Sequence, residues 1–322
     1  MKSLEVTICK TIDAESIEKS MSVQSLWGGY GEIRRYFLNG GRESSVIVKH
    51  IQLSNKANHP KGWNTSRSHK RKLKSYEVES KWYQSYTNRT NENCRTPRCH
   101  FVRQNDDELL FIMEDLNASG FPVRLTPETV TIPDIKNCLS WLAHFHACFI
   151  HCDAKGLWEK GTYWHLETRP DEWGRMENND LKQAAAAIDT RLNNANFQTL
   201  VHGDAKLANF CFGEKEKVAA VDFQYVGKGV GIKDVAYFIS SCLDEQLCEK
   251  YESELLEHYF NSLEKALDHS IGFKELKKEW GELYKYAWAD FYRFLDGWSP
   301  GHWKMHGYSK QMVQNVINEL VV

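Results

Sequence analysis

The feature that most constrains this chain is thirteen residues long: "LVHGDAKLANFCF", residues 200–212. Leu200-Val201 at one end and Phe210-Cys211-Phe212 at the other read as buried strand ends. Between them lie a His, an Asp, a Lys and an Asn. A polar segment pinned at both ends by the core is a rigid loop, and rigid loops are where catalytic groups collect. The fold must therefore hold Asp204, Lys206 and Asn209 together.

A further acid stands at the end of a short predicted strand, "KVAAVDFQ" (217–224): Asp222, thirteen residues past Asn209. Two carboxylates and an amide converging on loops offer the oxygen ligands that Mg²⁺ prefers. With Asp222 and Asn209 on the metal, Asp204 is free to orient a hydroxyl and accept its proton. Upstream, "ESSVIVKHIQL" alternates as a strand, and Lys49 shares a face with Ile47 and Ile51. A lysine among apolar neighbours needs a partner. Just before it, "LWGGYGEIRRYF" sets Gly28, Gly29 and Gly31 between two strand-like runs. A partnered Lys49 beneath such a turn is placed to hold phosphates. Positioning and charge stabilisation are what phosphoryl transfer asks of a protein.

With 322 residues, the chain exceeds one small core, so two lobes are expected. Residues 23–54 read as sheet, 54–74 as a polar, basic and solvated connection, 75–88 as a helix, and "ELLFIMEDL" (108–116) as a buried strand. From about residue 117 long helices take over, the first being 132–152 with Pro133 in its first turn. The lobes are drawn as 1–116, binding nucleotide, and 117–322, carrying the catalytic loop and acceptor site. A net charge of −2 gives no global pull toward nucleic acid or membrane. No apolar run reaches the ~20 residues of a bilayer span, and "MKSLEVTICKTIDAES" lacks a signal-peptide core. A cytoplasmic protein is expected. Nine cysteines without a CxxC pair read as reduced thiols.

"HGDAKLAN" and "VDFQ" resemble the catalytic loop and metal-binding turn of the aminoglycoside phosphotransferase and choline kinase superfamily, with its protein-kinase-like fold. Together with "IMEDL", "LAHFH" and "DVAYFI", they look most like its ecdysteroid-kinase-like branch, over roughly residues 25–300. The resemblance implies an α+β, two-lobed fold: a small antiparallel-sheet lobe with one main helix, and a larger helical lobe. It implies ATP and Mg²⁺ as cofactors, and a small-molecule alcohol or amino-alcohol as acceptor. It makes Asp204 the base, Asn209 and Asp222 metal ligands, and Lys49 the phosphate lysine, with Glu79 as helix partner and Glu77 as competitor. Met113, Glu114 and Leu116 become the adenine hinge, Gly29 and Gly31 the turn over the nucleotide, Lys206 a neighbour of the transferred phosphate, and Asp234 a brace for the loop. "GGYGEI" is not a full GxGxxG, which leaves open how the phosphates are covered.

Other residues carry two readings. His202 reads as a structural hydrogen-bonder of the loop. His144, Cys148 and Cys152 fall on one helix face, as zinc ligands can, but their apolar neighbours favour core. Two aromatic segments, 156–173 and 284–298, are either core or acceptor wall. As wall, Trp164, Trp288, Asp290 and Asp296 suit a cationic or ring-shaped acceptor. A nucleotide-binding pseudoenzyme is the alternative function, opposed by the intact Asp204 and Asn209. A protein kinase needs a long segment after Asp222, and Asp234 is reached within twelve residues.

Overall fold

The computed structural model describes residues 2–26, 29–53 and 66–320. Gly28 and the basic stretch 54–65 lie outside the described residues.

Helix α1 (Lys2–Ile12) precedes β1 (Ser16–Ser25), β2 (Gly31–Asn39) and β3 (Ser45–Gln52). Helix α2 (Ser66–Ser85) follows, then β4 (Cys99–Gln104) and β5 (Glu108–Glu114). The strands form one antiparallel sheet in the order β1-β2-β3-β5-β4. Both faces of β3 are covered, so it alternates between two cores rather than between core and water. Val46 and Val48 pack toward Ile8 and Ile12 of α1. Ile51, with Ile33 and Ile47 beside it, joins the core under α2. Lys49 points to this second side, paired in register with Ile33 and Phe111.

The sheet gives way to helices after Glu114. Helix α3 (Ile132–Cys148) opens with a capping box, Thr131 and Asp134 exchanging hydrogen bonds, and with Pro133 in the first turn. Then come α4 (Pro170–Gly174), α5 (Asn179–Asn193), β6 (Thr199–Val201), β7 (Phe210–Phe212), β8 (Val218–Ala220), β9 (Gly227–Gly229), α6 (Ile232–Ser240), α7 (Glu245–Ala266), α8 (Phe273–Trp298) and α9 (Gly307–Leu320). The two short ribbons, β6 with β9 and β7 with β8, are the buried strand ends expected around the polar loop.

Two elements depart from expectation. Helix α2 begins at Ser66, not near residue 75, so the second half of the basic run is helical. Lys and Arg are good helix formers, and a charged face does not stop a helix that has one buried side. The strand expected over 217–224 ends at Ala220, because Asp222 takes φ +70°, which turns the chain out of the ribbon. Among the described residues, no helix is long and apolar enough to cross a membrane.

Candidate active site

The polar loop leaves β6 at Val201 and enters β7 at Phe210. Gly203 makes that exit possible. It sits at φ +79°, and a Cβ there would lie 2.1 Å from the Tyr225 carbonyl oxygen and 2.8 Å from the Thr162 nitrogen. Asp234, at the start of α6, holds the loop from beneath. Its Oδ2 accepts from the His202 amide (2.5 Å) and lies 3.2 Å from His146 Nε2, and its Oδ1 accepts from the Gly203 amide (3.0 Å). His202 is wholly buried and spans the loop, with Nε2 3.0 Å from the Val221 carbonyl and Nδ1 accepting from the Asp204 amide (3.3 Å).

This scaffold fixes the Asp204 carboxylate. Tyr237 OH donates to Oδ1 (3.0 Å), while Lys206 Nζ (2.8 Å) and Asn209 Nδ2 (3.3 Å) donate to Oδ2. The same Nδ2 donates to the Asp204 carbonyl (2.8 Å), so the Asn209 oxygen is the atom left for a ligand. Asp204, attracting the ammonium beside it, raises the Lys206 pKa above the usual lysine range.

Lys49 is buried in the sheet and donates to Glu79 Oε2 of α2 at 2.6 Å. Glu77 instead faces Lys74 at 3.6 Å on the exposed side of the helix. Lys49 also lies 4.0 Å from Asp222 Oδ1. Burial works against the charge on Asp222, yet Lys49, Lys206 and Lys72 together hold its carboxyl below the usual range. Gln224 then ties this turn to α2: its Nε2 donates to Asp222 Oδ1 (2.5 Å), and its Oε1 accepts from Lys72 Nζ (2.8 Å) and Ser75 Oγ (3.2 Å). Burial pushes the Lys72 ammonium down to about 8.

One cavity of about 1000 Å³ takes in Asp204, Lys206, Asn209, Asp222, Lys49 and Glu79 together. Its far end is walled by Met113, Glu114 and Leu116. Glu114 commits its carboxylate to Arg95 and Arg98, and its amide donates to the Arg98 carbonyl (2.8 Å). Of the glycine turn, Gly29 and Gly31 do not line the cavity; their neighbours Leu26 and Tyr30 do. Gly31 serves a close approach instead, since a Cβ there would lie 2.0 Å from the His50 carbonyl oxygen.

The four expected acceptor residues lie elsewhere. Trp164 is fully buried and donates to Asp290 Oδ2 (3.0 Å). Asp290 is held by Lys233 (3.2 Å) and Arg293 (2.7 Å); burial opposes its charge, but these two cations bring it down to about 2. Asp296 accepts from the Glu177 and Asn178 amides (2.9 and 3.0 Å). Trp288 packs edge-on against Tyr308 in the core. The two segments do reach the cavity through other residues, Tyr163, Arg169, Phe294 and Trp298. Asp290, Phe294 and Trp298 follow at i, i+4, i+8 on one stripe of α8, which runs from the buried Asp290 to the cavity-lining Phe294 and Trp298.

Arg71 and Lys72 line the cavity too, and neither stands out in the sequence. The signal was there: Lys72, Ser75 and Glu79 repeat at i, i+3, i+7, one face of a helix.

The oxygen donors present fit a hard divalent cation shared with a nucleotide. Among the described residues no group of three or more His, Cys, Asp or Glu is gathered to hold a metal by itself. One carboxylate and one amide oxygen, completed by phosphate oxygens, is the pattern Mg²⁺ takes in nucleotide sites. All nine cysteines are free thiols.

Among solved structures, the chain is similar to an amicoumacin kinase in complex with AMP-PNP, Ca²⁺ and Ami (12% identity, TM-score 0.55, 99% of this chain and 92% of that one). It is similar as well to the macrolide 2'-phosphotransferase apoenzyme of Brachybacterium faecium (12% identity, TM-score 0.52, 99% and 98%). These likenesses carry the fold. No protein with a curated description matches the chain. Residues 37–168 and 160–271 match the ecdysteroid kinase-like family, and the chain belongs to that family.

Proposed function

We propose that the chain is an ATP- and Mg²⁺-dependent phosphotransferase that moves the γ-phosphate to a hydroxyl of a small molecule. The observation that carries this reading is the convergence of Asp204, Asn209, Asp222 and a Glu79-paired Lys49 on one cavity.

Met113, Glu114 and Leu116 receive the base edge, and Lys49, held by Glu79, contacts the phosphates. Asp222 and the Asn209 oxygen would hold Mg²⁺, which would supply neutralisation of phosphate charge. Asp204 accepts a hydrogen bond from the acceptor hydroxyl. As the hydroxyl oxygen bonds to the γ-phosphorus, its proton passes to Asp204 and the bond to the β-γ bridging oxygen breaks, leaving ADP. Tyr237 and Asn209 keep Asp204 aimed. Lys206 is half-exposed, and its ammonium shifts from Asp204 toward the moving phosphoryl group. We assign residues 1–116 to the nucleotide lobe and 117–322 to the acceptor lobe. The stretch between Asp222 and Asp234 is taken up by β9 and the start of α6, which favours a small acceptor over a protein.

The test is transfer of labelled γ-phosphate from MgATP to a panel of alcohols. Asp204→Asn is expected to lose about 10²–10⁴-fold in turnover while still binding MgATP by calorimetry. Asp222→Asn is expected to lose the Mg²⁺-dependent part of that binding. Wild-type turnover by Asp204→Asn would sink the mechanism.

A further inference from the structure

The acceptor end of the cavity, past Asp204, is built from rings: Tyr163, Tyr225, Phe294 and Trp298. Tyr163 OH lies 3.3 Å from Tyr237 OH, which itself donates to Asp204, so these rings adjoin the reacting centre. Such a wall takes a flat or ring-bearing molecule. The charges among the rings say more.

Among the described residues, no carboxylate there is free to receive a cation. Asp290 and Asp296 are consumed inside the lobe. The lining acids Glu79, Glu114 and Asp115 are each paired, with Lys49, Arg95 and Arg35. Asp204 and Asp222 belong to the reaction. Two guanidiniums, by contrast, reach the same space from opposite lobes. Arg169 precedes α4 and is fastened by Glu172 (3.0 Å) and the Tyr163 carbonyl (2.6 Å), with its head 5.0 Å over the Phe294 ring. Arg71 comes from α2. Its contacts among the described residues are the Thr168 carbonyl (2.9 Å) and Ser68 Oγ (3.5 Å), and no carboxylate stands within ion-pair distance. Burial first, and Arg169 second, bring Arg71 down to about 10. Glu172 and Asp171 pull on Arg71 from beyond ion-pair distance, whereas Arg169 holds Glu172 in direct contact, so the Arg71 head has no carboxylate on it among the described residues.

The neighbour of Arg71 separates this site from the nucleotide's. Successive helix residues point about 100° apart. Lys72 turns to Gln224 and the Asp222 side, while Arg71 turns to Thr168 and the ring-walled side. A guanidinium offers paired donors matched to carboxylate, sulfate or phosphate oxygens.

We propose that the acceptor is a ring-bearing hydroxy acid, its acidic group held by Arg71 with Arg169 beside it and its hydroxyl presented to Asp204. This rests on the phosphotransferase reading above.

The experiment separates the two. A cell metabolite extract is split by ion exchange into acidic, neutral and cationic pools. Each is incubated with the full chain and MgATP labelled on the γ-phosphate. Label is expected to enter the acidic pool at least tenfold over the others. Label chiefly in the neutral or cationic pool overturns the inference and leaves phosphotransfer standing. Label in none overturns it too, and the unfolding midpoint with MgATP then reads the parent proposal: an unmoved midpoint removes both, a raised one removes only this. On the acidic acceptor so found, Arg71→Leu is expected to raise the acceptor KM about tenfold with kcat little changed, and Arg71→Lys to recover part. A rise in the KM for ATP alone assigns Arg71 to the nucleotide and overturns the inference.

Discussion

Asp222 sits at φ +70°, a conformation that side-chain-bearing residues seldom take, and the turn that imposes it also aims the carboxylate into the cavity. Gln224 keeps it there with a 2.5 Å hydrogen bond. Outer residues that orient a metal ligand typically change affinity 10–100-fold. Gln224→Leu is therefore expected to raise the Mg²⁺ concentration for half-maximal nucleotide binding by about that factor, read by titrating Mg²⁺ at fixed ATP. The loop acids were legible in the sequence because their partners lie within a few residues and their type is unusual between apolar flanks. Arg71 was not, because a basic run reads the same whether it faces water or a cavity. Trp164 and Asp290 misled for a related reason. Composition shows that a segment holds rings and acids, but only the packing shows that Phe294, one turn further along α8, reaches the cavity while Asp290 is held by Lys233 and Arg293.

Among the elements, α2 does the most to assemble the site. Trp82 stacks on Phe223 of the Asp222 turn at 4.5 Å, and Glu79 holds Lys49. Removing one partner of a buried ion pair strands the other and costs about 3–5 kcal/mol. Glu79→Gln is expected to lower stability toward that range by urea unfolding, and to weaken nucleotide binding as Lys49 loses its anchor. The β6–β7 connection depends equally on Gly203. Gly203→Ala has no room for its methyl against backbone and no comfortable φ. A fall in the unfolding midpoint together with lost turnover is the expected result, checked by thermal melts beside the activity assay. The sequence showed that these strands exist, since their apolar ends are plain. Their three-residue lengths are set by the turns that follow them, which depend on tertiary contacts such as Tyr225 against Gly203.

For the whole molecule, the division into a sheet part and a helical part was readable from the change of character near residue 117, whereas the side chains that line the cavity, Arg71 and Lys72 among them, were not. The packing leaves a pH signature. His165 is buried with Nδ1 unpartnered among the described residues, and burial, aided by Lys233, brings it down to about 3. The unfolded chain takes up this proton near pH 6.5. Below that pH the unfolded state therefore binds more protons than the folded one, and stability falls as pH drops from about 6.5 toward 3. The unfolding midpoint is expected to fall from pH 7 to pH 5, with a shallower slope in His165→Gln, by scanning calorimetry across that range.

One consequence of α2 reaches beyond its contacts. Lys72 and Arg71 are consecutive residues on a single rigid rod, one turned to the phosphate side and the other to the ring-walled side. A ligand that settles the rod for one residue settles it for the other. Linkage makes the effect reciprocal: the factor by which nucleotide tightens the acceptor equals the factor by which acceptor tightens the nucleotide. On the proposed reaction, the helix would couple two substrates that need never touch before they react, and cutting the Gln224 tether is expected to bring that common factor toward one.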